Sequence, residues 1–144
     1  MMSISDTHHV GVVVTDLDEA LEFYCETLGL EVVDEFTLAG EGIATAIDVD
    51  DATGHFAHLT AGTDGTRIEL IEYEPAGDDI HPTAINQHGA VHIGFAVADL
   101  QAFCEALPAD ADPISQPQRI ELGPEILFFR DPDGNVIEVV ETEG

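Results

Sequence analysis

Two histidines and two glutamates stand at matching places in the two halves of this 144-residue chain. The segment HHVGVVVTDL recurs as VHIGFAVADL, which sets His9 against His92. The segment TRIELIEYE recurs as NVIEVVETE, which sets Glu69 against Glu138. Two neutral imidazoles and two carboxylates suit a divalent ion such as Zn²⁺, Ni²⁺, Co²⁺, Mn²⁺ or Fe²⁺, with positions left for water or substrate. The repeat therefore predicts one divalent metal ion held by these four residues.

Strand periodicity supports this prediction, because alternate residues of a β-strand point to opposite faces. In RIELIEY, Glu69 shares a face with Ile71 and Tyr73, and the chain contains no lysine to pair with it. A buried carboxylate must be paired, protonated or bound to a metal. A single strand histidine is more often structural, and a single strand glutamate more often faces solvent. Because a strand histidine and a strand glutamate occur together in each of the two copies, a metal site is the favoured interpretation.

The remaining histidines have weaker claims. His8 aligns with Val91 in the repeat, which predicts that it lies on the face that packs against the helix. Four others have no counterpart in the repeat, and we expect them at solvated loop or strand positions: His55, His58, His81 and His88.

The elements that must position the four ligands follow the same repeat. Each copy opens with an alternating strand, ends it at an aspartate suited to cap a helix, continues through an amphipathic helix, and closes with a hairpin. The hairpin turns contain Asp64-Gly65 and Asp133-Gly134. Between helix and hairpin come the extended runs EVVDEFTL and, in a weaker form, QPQRIEL. Each copy is therefore predicted to be a βαβββ module.

The module boundaries follow from composition and from the repeat offsets. Module one covers about 7–74, a linker rich in Gly, Pro and Asp covers about 75–89, and module two covers about 90–143. The first copy carries extra residues, roughly within 36–53, that are expected to form a short helix or a covering loop. At this length, we expect the two modules to form a single domain over 1–144.

The charge balance excludes some partners. Thirty acidic residues face three arginines, which gives a formal net charge of -27. A field of that sign repels nucleic acid and anionic membranes, so neither is an expected partner. Such self-repulsion is typical of halophilic proteins, in which salt screens it. The chain has no apolar run of membrane-spanning length and two cysteines, so we expect a soluble, cytoplasmic protein with reduced thiols.

Four segments together resemble the glyoxalase, bleomycin resistance and dioxygenase superfamily, also called vicinal oxygen chelate proteins: HHVGVVVTDLDEALEFYCETLGL, IELIEY, VHIGFAVADL and DPDGNVIEVVE. The resemblance implies an α+β fold in which paired βαβββ modules form a cupped mixed sheet around a metal. It places His9, Glu69, His92 and Glu138 on the ligand positions of glyoxalase I.

The resemblance also implies an activity on a small molecule. A glyoxalase I-type (lactoylglutathione lyase-like) enzyme would isomerise a 2-oxoaldehyde thiol adduct through an enediolate, with Glu138 as the catalytic base and Glu69 either sharing that work or balancing charge. We also expect a homodimer. Whether the ligands come from one chain or two stays open at this point. Arg67, on the face of Glu69, could reach a substrate carboxylate or form a surface ion pair.

Three alternatives belong to the same resemblance. An extradiol dioxygenase would use His9, His92 and Glu138 on Fe²⁺. A methylmalonyl-CoA epimerase-like isomerase normally has glutamine where this chain has Glu69. A non-catalytic antibiotic-binding protein typically lacks the metal ligands that this chain retains.

Overall fold

The computed structural model describes residues 2–62, 65–121 and 123–142, in two compact units that divide between Asp78 and Asp79. The division falls inside the predicted linker. Each unit contains one mixed sheet with few helices, which confirms the predicted α+β class. Whether the units form a single domain stays a prediction. No helix in the described ranges is both long and apolar enough to span a membrane.

The first unit contains a four-stranded sheet with the strand order β1-β4-β3-β2. Strand β1 runs parallel to β4, and the other pairs are antiparallel. The extra residues of the first copy contain the short helix α2, which confirms the expected helix and not the alternative covering loop. In chain order the elements are β1 (His9–Val13), α1 (Leu17–Leu21, continued as a π-helix over Glu22–Thr27), β2 (Glu31–Ala39), α2 (Glu41–Ile47), β3 (Thr53–Thr60) and β4 (Arg67–Glu74).

The second unit repeats this plan with a reduced second strand. Its sheet has the order β5-β9-β8-β6, with β7 also pairing β8 and with β5 parallel to β9. The predicted strand through QPQRIEL is reduced to the two-residue strand β7, and a second two-residue strand, β6, precedes it. Pro113 and Pro117 lack the backbone N–H donors that a longer strand on this edge would need. The elements are β5 (His92–Val97), α3 (Leu100–Ala106), β6 (Asp112–Pro113), β7 (Gln118–Arg119), β8 (Glu125–Arg130) and β9 (Val136–Glu141).

Matching carboxylates begin the first helix of each unit. Asp16 and Asp99 occupy the N-cap positions, and each accepts a hydrogen bond of 3.0 Å from a backbone N–H three residues on. A glutamate from the last strand adds a second acceptor: Glu72 accepts from the Leu17 N–H and Glu141 from the Leu100 N–H. The sequence repeat is therefore a structural repeat that includes the polar contacts around each helix start.

The apolar core of each unit lies along its central strands and the adjacent helix face. Among the described residues, sixteen apolar side chains are buried, and the largest that are almost fully buried are Tyr24, Leu59, Leu70, Leu100, Phe129, Ile137 and Val139. Opposite these core positions on β4 and β9 lie Glu69 and Glu138, since side chains alternate along a strand.

Between β4 and β5 the structure has neither helix nor strand, as the linker composition predicts. Within the second unit His81, expected to be solvated, makes two contacts. Its Nδ1 lies 2.6 Å from Asp79 Oδ1 and its Nε2 lies 2.9 Å from Asn135 Oδ1. Asn135 in turn is held by Asp131, which accepts from its backbone and side-chain N–H groups. His81 therefore fastens this segment to the β8–β9 turn, where Gly134 has a positive φ of 91°.

This contact predicts a pH-dependent contribution to stability. The pKa of His81 is raised above its usual 6.5 by the hydrogen bond to Asn135, against a lowering by burial, and further by the hydrogen bond to Asp79 and by nearby negative charge. The contribution is thus fully present below the ordinary histidine pKa and is lost as pH rises through the folded-state value. The pKa of Asp79 is lowered, chiefly by its hydrogen bonds with His81, so Asp79 stays ionised throughout this range.

We expect His81→Ala to lower the free energy of unfolding at about pH 6, and the difference from wild type to shrink towards about pH 9. Urea unfolding curves at constant high KCl measure this, with His88→Ala as the matched control. A difference that is constant or grows with pH would contradict the assigned contact.

Candidate metal centre

Glu69 lies in the middle of the first sheet, because β4 is flanked by β1 on one side and by β3 on the other. It is in register with Gly11 on β1 and with His58 on β3. These three residues share a face of the sheet, and Glu69 is only 8% exposed. A Cβ at Gly11 would lie 3.9 Å from Glu69 Oε1 and 3.5 Å from Ile71. The glycine therefore leaves room directly beside the carboxylate.

The two oxygens of Glu69 have different neighbours. Oε1 lies 3.5 Å from His9 Nε2, whereas Oε2 lies 2.6 Å from His58 Nε2. Glu69 therefore has the partner that a carboxylate on this face needs, and the nearer of its two partners, His58, was not among the predicted ligands.

Two expectations for the rival histidines are wrong. His58 is not solvated: it is 4% exposed, because β3 is covered on both sides by β2 and β4. His8 does not pack against the helix. It precedes the first residue of β1, so strand alternation does not govern it, and its exposed Nδ1 lies 2.8 Å from His9 Nδ1.

The second unit repeats the pair with one difference. Glu138 on β9 is in register with Gly94 on β5 and with Phe128 on β8. Its Oε1 lies 3.2 Å from His92 Nε2, and a Cβ at Gly94 would lie 3.8 Å from the same oxygen. The His92 ring meets the Phe128 ring edge-on, with centroids 5.1 Å apart. Phe128 thus stands where the first unit has His58.

Both pairs fit a divalent ion by the chemistry of their donors. Two ligand atoms that each bind a metal at about 2.1 Å lie roughly 3.0–3.4 Å apart, close to the 3.5 and 3.2 Å found here. The side chains of His9 and His92 are 36% and 40% exposed, so neither imidazole is closed off from solvent. The structure therefore brings together His9 with Glu69, and His92 with Glu138. That all four share one metal stays a prediction.

The first pair has an aromatic border. Phe36 and Phe56 stack with centroids 5.0 Å apart, Tyr73 meets Phe56 edge-on, and Phe36 meets His58 edge-on. The pKa of Tyr73 is raised, first by burial and then by the charge of Glu69. A carboxylate beside apolar rings is poorly hydrated, which favours binding of a cation there.

Two of the three arginines lie on the ligand faces. Arg67 is in register with His9, and its guanidinium lies 3.2 Å from His58 Nδ1. The sequence had suggested a substrate carboxylate or a surface ion pair as its partner. Arg130 pairs with Val136, the register partner of His92, and forms an ion pair of 3.8 Å with Asp112. Each unit thus places one cation next to its candidate ligands.

The cysteines take no part in this chemistry. Both are free and half-buried. The pKa of Cys25 and that of Cys104 are raised, first by burial and then by nearby glutamates. Because the thiolate is the reactive form, a raised pKa makes both thiols less reactive.

A family model, related sequences and a solved structure all point to the same protein family. Residues 7–139 match the family model described as Glyoxalase/Bleomycin resistance protein/Dioxygenase superfamily. The chain is 33% identical to a 2-epi-5-epi-valiolone epimerase from Actinomyces, with 92% of this chain and 77% of that protein covered. It is 28% identical to a probable lactoylglutathione lyase from Vibrio parahaemolyticus, over 94% and 89% of the two chains. A crystal structure of a glyoxalase family protein from Bacillus cereus superposes with a TM-score of 0.88 at 22% identity, covering 99% and 97%, and shows the shared fold.

Proposed function

Because the chain belongs to the glyoxalase, bleomycin resistance protein and dioxygenase superfamily, we propose that it is a metal-dependent lyase or isomerase that moves a proton at a carbon next to a carbonyl group. The observation that supports this proposal most is the twofold pair of imidazole and carboxylate, held at 3.5 and 3.2 Å in two units of one fold. Relatives named as a lyase and as an epimerase agree with a proton-transfer reaction.

The residues proposed to hold the metal are His9, Glu69, His92 and Glu138, from one chain or from two copies of it. With two neutral imidazoles and two carboxylates, the set balances the charge of a divalent ion. When bound, the metal supplies Lewis acidity that polarises the oxygens of the substrate and makes the neighbouring carbon a stronger acid.

The proton is proposed to move through Glu138. The carbon–hydrogen bond breaks, its electron pair shifts towards the adjacent carbonyl oxygen, and a carboxylate oxygen of Glu138 takes the proton. In an isomerisation the same carboxyl group then returns the proton to the adjacent carbon. In an epimerisation the first carbon would take a proton on its opposite face from a second donor, such as water. A carboxylate released among apolar side chains is a stronger base than one in water, and Val136 and Val140 flank Glu138 on its face.

A 2-oxoaldehyde thiol adduct is the first candidate substrate. The ligand set of the chain and its similarity to a probable lactoylglutathione lyase support this choice. Transfer of the proton from the thiol-bearing carbon to the next carbon would convert such an adduct into a 2-hydroxy thioester, with no oxidant or reductant consumed.

An uncharged polyhydroxy ketone is the second candidate, and two observations favour it. The relative named as an epimerase has the higher identity of the two, and the net charge of -27 repels an anionic adduct. The arginines that could offset this repulsion beside the ligands, Arg67 and Arg130, already contact His58 and Asp112.

The proposal is tested with protein purified in molar KCl and loaded separately with Zn²⁺, Ni²⁺, Co²⁺, Mn²⁺ or Fe²⁺. Turnover and deuterium uptake from D₂O are followed on methylglyoxal with a small thiol, on a methylmalonyl thioester and on a cyclic polyhydroxy ketone. We expect metal-dependent deuterium uptake at the carbon next to the carbonyl of one substrate. Oxygen consumption with a catechol and Fe²⁺, and no deuterium uptake elsewhere, would instead identify a dioxygenase.

A further inference from the structure

The two glutamates of the proposed metal set are held differently. Glu69 has an imidazole on each carboxylate oxygen, since His9 lies near Oε1 and His58 near Oε2. In the described part of the chain Glu138 contacts one imidazole, since His92 Nε2 lies 3.2 Å from its Oε1. The register position taken by His58 in the first unit is taken by Phe128 in the second, and a phenyl ring offers no donor.

Arg67 determines which ring nitrogen of His58 carries the proton. A guanidinium group has donors and no acceptor, so the contact of 3.2 Å between Arg67 and Nδ1 requires Nδ1 to accept. The ring proton then lies on Nε2, where it is donated to Glu69 Oε2 over 2.6 Å. The direction of both hydrogen bonds follows from the presence of the arginine.

This assignment separates His58 from the metal ligands. His9, His58 and Glu69 together form a group whose ligand atoms all lie within 4.8 Å of one another, so geometry alone would allow His58 to be a third ligand. A ligating Nε2 must offer its lone pair, which would move the proton to Nδ1, towards the donating Arg67. His58 is therefore a donor to Glu69 and not a ligand.

We propose that His58, oriented by Arg67, is a positioning residue that fixes Glu69 as a permanent metal ligand and directs Oε1 towards the ion. Phe128 leaves Glu138 without this restraint, so Glu138 is the carboxylate able to leave the metal and take the proton. This inference rests on the proposed function. It assigns different roles to two glutamates that the sequence repeat treats as equivalent.

The test is a Co²⁺ titration of apoprotein in molar KCl, read by the visible absorption of the bound ion. We expect His58→Phe, which makes the first unit imitate the second, to raise the Kd for Co²⁺ by roughly 10–100-fold, as loss of a residue that orients a ligand typically does. The spectrum at saturation should stay that of wild type, because the ligands are unchanged. His55→Phe is the matched control: His55 lies on the same strand but alternates to the opposite face, and should leave the Kd unchanged.

Arg67→Leu tests the orientation of His58 without disturbing a buried side chain, since Arg67 is exposed. If the arginine acted only by its charge, its removal would strengthen binding of a cation. We expect the opposite, a weaker affinity for Co²⁺, because His58 is then free to turn its lone pair towards Glu69. Arg119→Leu makes the same charge change away from the ligands, since Arg119 pairs with Glu125 on the other face of β8.

The outcomes separate the inference from the proposed function. A wild-type protein that binds no Co²⁺ would overturn both. If wild type binds Co²⁺ and the Kd is unchanged in His58→Phe and Arg67→Leu, the positioning role is wrong and the proposed function stands. A changed spectrum in saturated His58→Phe would show that His58 is itself a ligand. If His58→Phe does not fold, Arg67→Leu decides alone.

Discussion

Glu138→Gln is expected to lower the rate of proton transfer by roughly 10²–10⁴-fold, the range attributed to a positioned general base, while the protein still binds its metal. An amide oxygen can coordinate a divalent ion but cannot accept a proton at neutral pH. Because the change is isosteric, we expect the backbone of β9 and the neighbours of Glu138, His92 and Phe128, to keep their positions. Loss of rate without loss of metal would therefore assign the base.

Glu69→Gln is the matched control, because the same substitution is made at the equivalent place in the other unit. In this variant the amide oxygen of the glutamine could take the place of Glu69 Oε2 and still accept the hydrogen bond from the Nε2–H of His58. We expect a smaller loss of rate than for Glu138→Gln. Deuterium exchange at the carbon next to the carbonyl and elemental analysis of both variants measure the two effects. Full activity in metal-bound Glu138→Gln would place the base elsewhere.

The thermal midpoint is expected to rise by at least about 3 °C between roughly 0.2 M and 3 M KCl, the shift that about 1 kcal/mol produces in a domain of this size. Thirty acidic residues and three arginines leave most surface charges without an oppositely charged neighbour. Their mutual repulsion opposes the compact state, and added salt screens it.

Melting curves in KCl and in equal concentrations of a neutral osmolyte distinguish screening from a general effect of solute. A variant in which several exposed acids, such as Asp18, Glu19, Glu22 and Glu26, become Asn or Gln should depend less on salt. A midpoint that is flat or falls with KCl would contradict the interpretation of the acidity.

The internal repeat explains why much of the fold was predictable. Two copies of one pattern must fold alike, so the strand that begins at His9 and the strand that begins at His92 each lie parallel to the strand that carries the corresponding glutamate. Alternation along the strand then places Glu69 and Glu138 on the ligand face. These two rules are local, and the sequence contains everything that they need.

His58 escaped prediction because it breaks the repeat. The predicted ligands are residues present in both copies, and the second copy has Phe128 at this register position. A partial signal was available: counting outwards from the predicted Asp64-Gly65 turn pairs residue 58 with Ile71, which places His58 on the face of Glu69, although the structure pairs it with Glu69 itself. The partner of Arg67 could not be read in the same way, because it depends on the conformation of a long side chain across strands.

The second module was predicted less well at its weak strand. The run QPQRIEL alternates poorly, and the prolines around it matter more than the residues between them, since each removes a hydrogen-bond donor from the edge. The two hairpin turns also differ in outcome. The turn at Asp133-Gly134 forms, with Gly134 at positive φ, while Asp64 of the first lies outside the described residues.

The central claim is that His9, Glu69, His92 and Glu138 hold one divalent metal, and elemental analysis of the protein purified in molar KCl tests it most directly. We predict about one transition-metal ion per site in the wild type. His92→Ala should lose that ion, because the His92 imidazole lies 3.2 Å from Glu138 in the wild type. His88→Ala, a change of the same kind at an exposed linker position, should retain it. A wild-type protein that binds no transition metal under any loading condition, or a His92→Ala variant that binds it as tightly as wild type, would contradict the account.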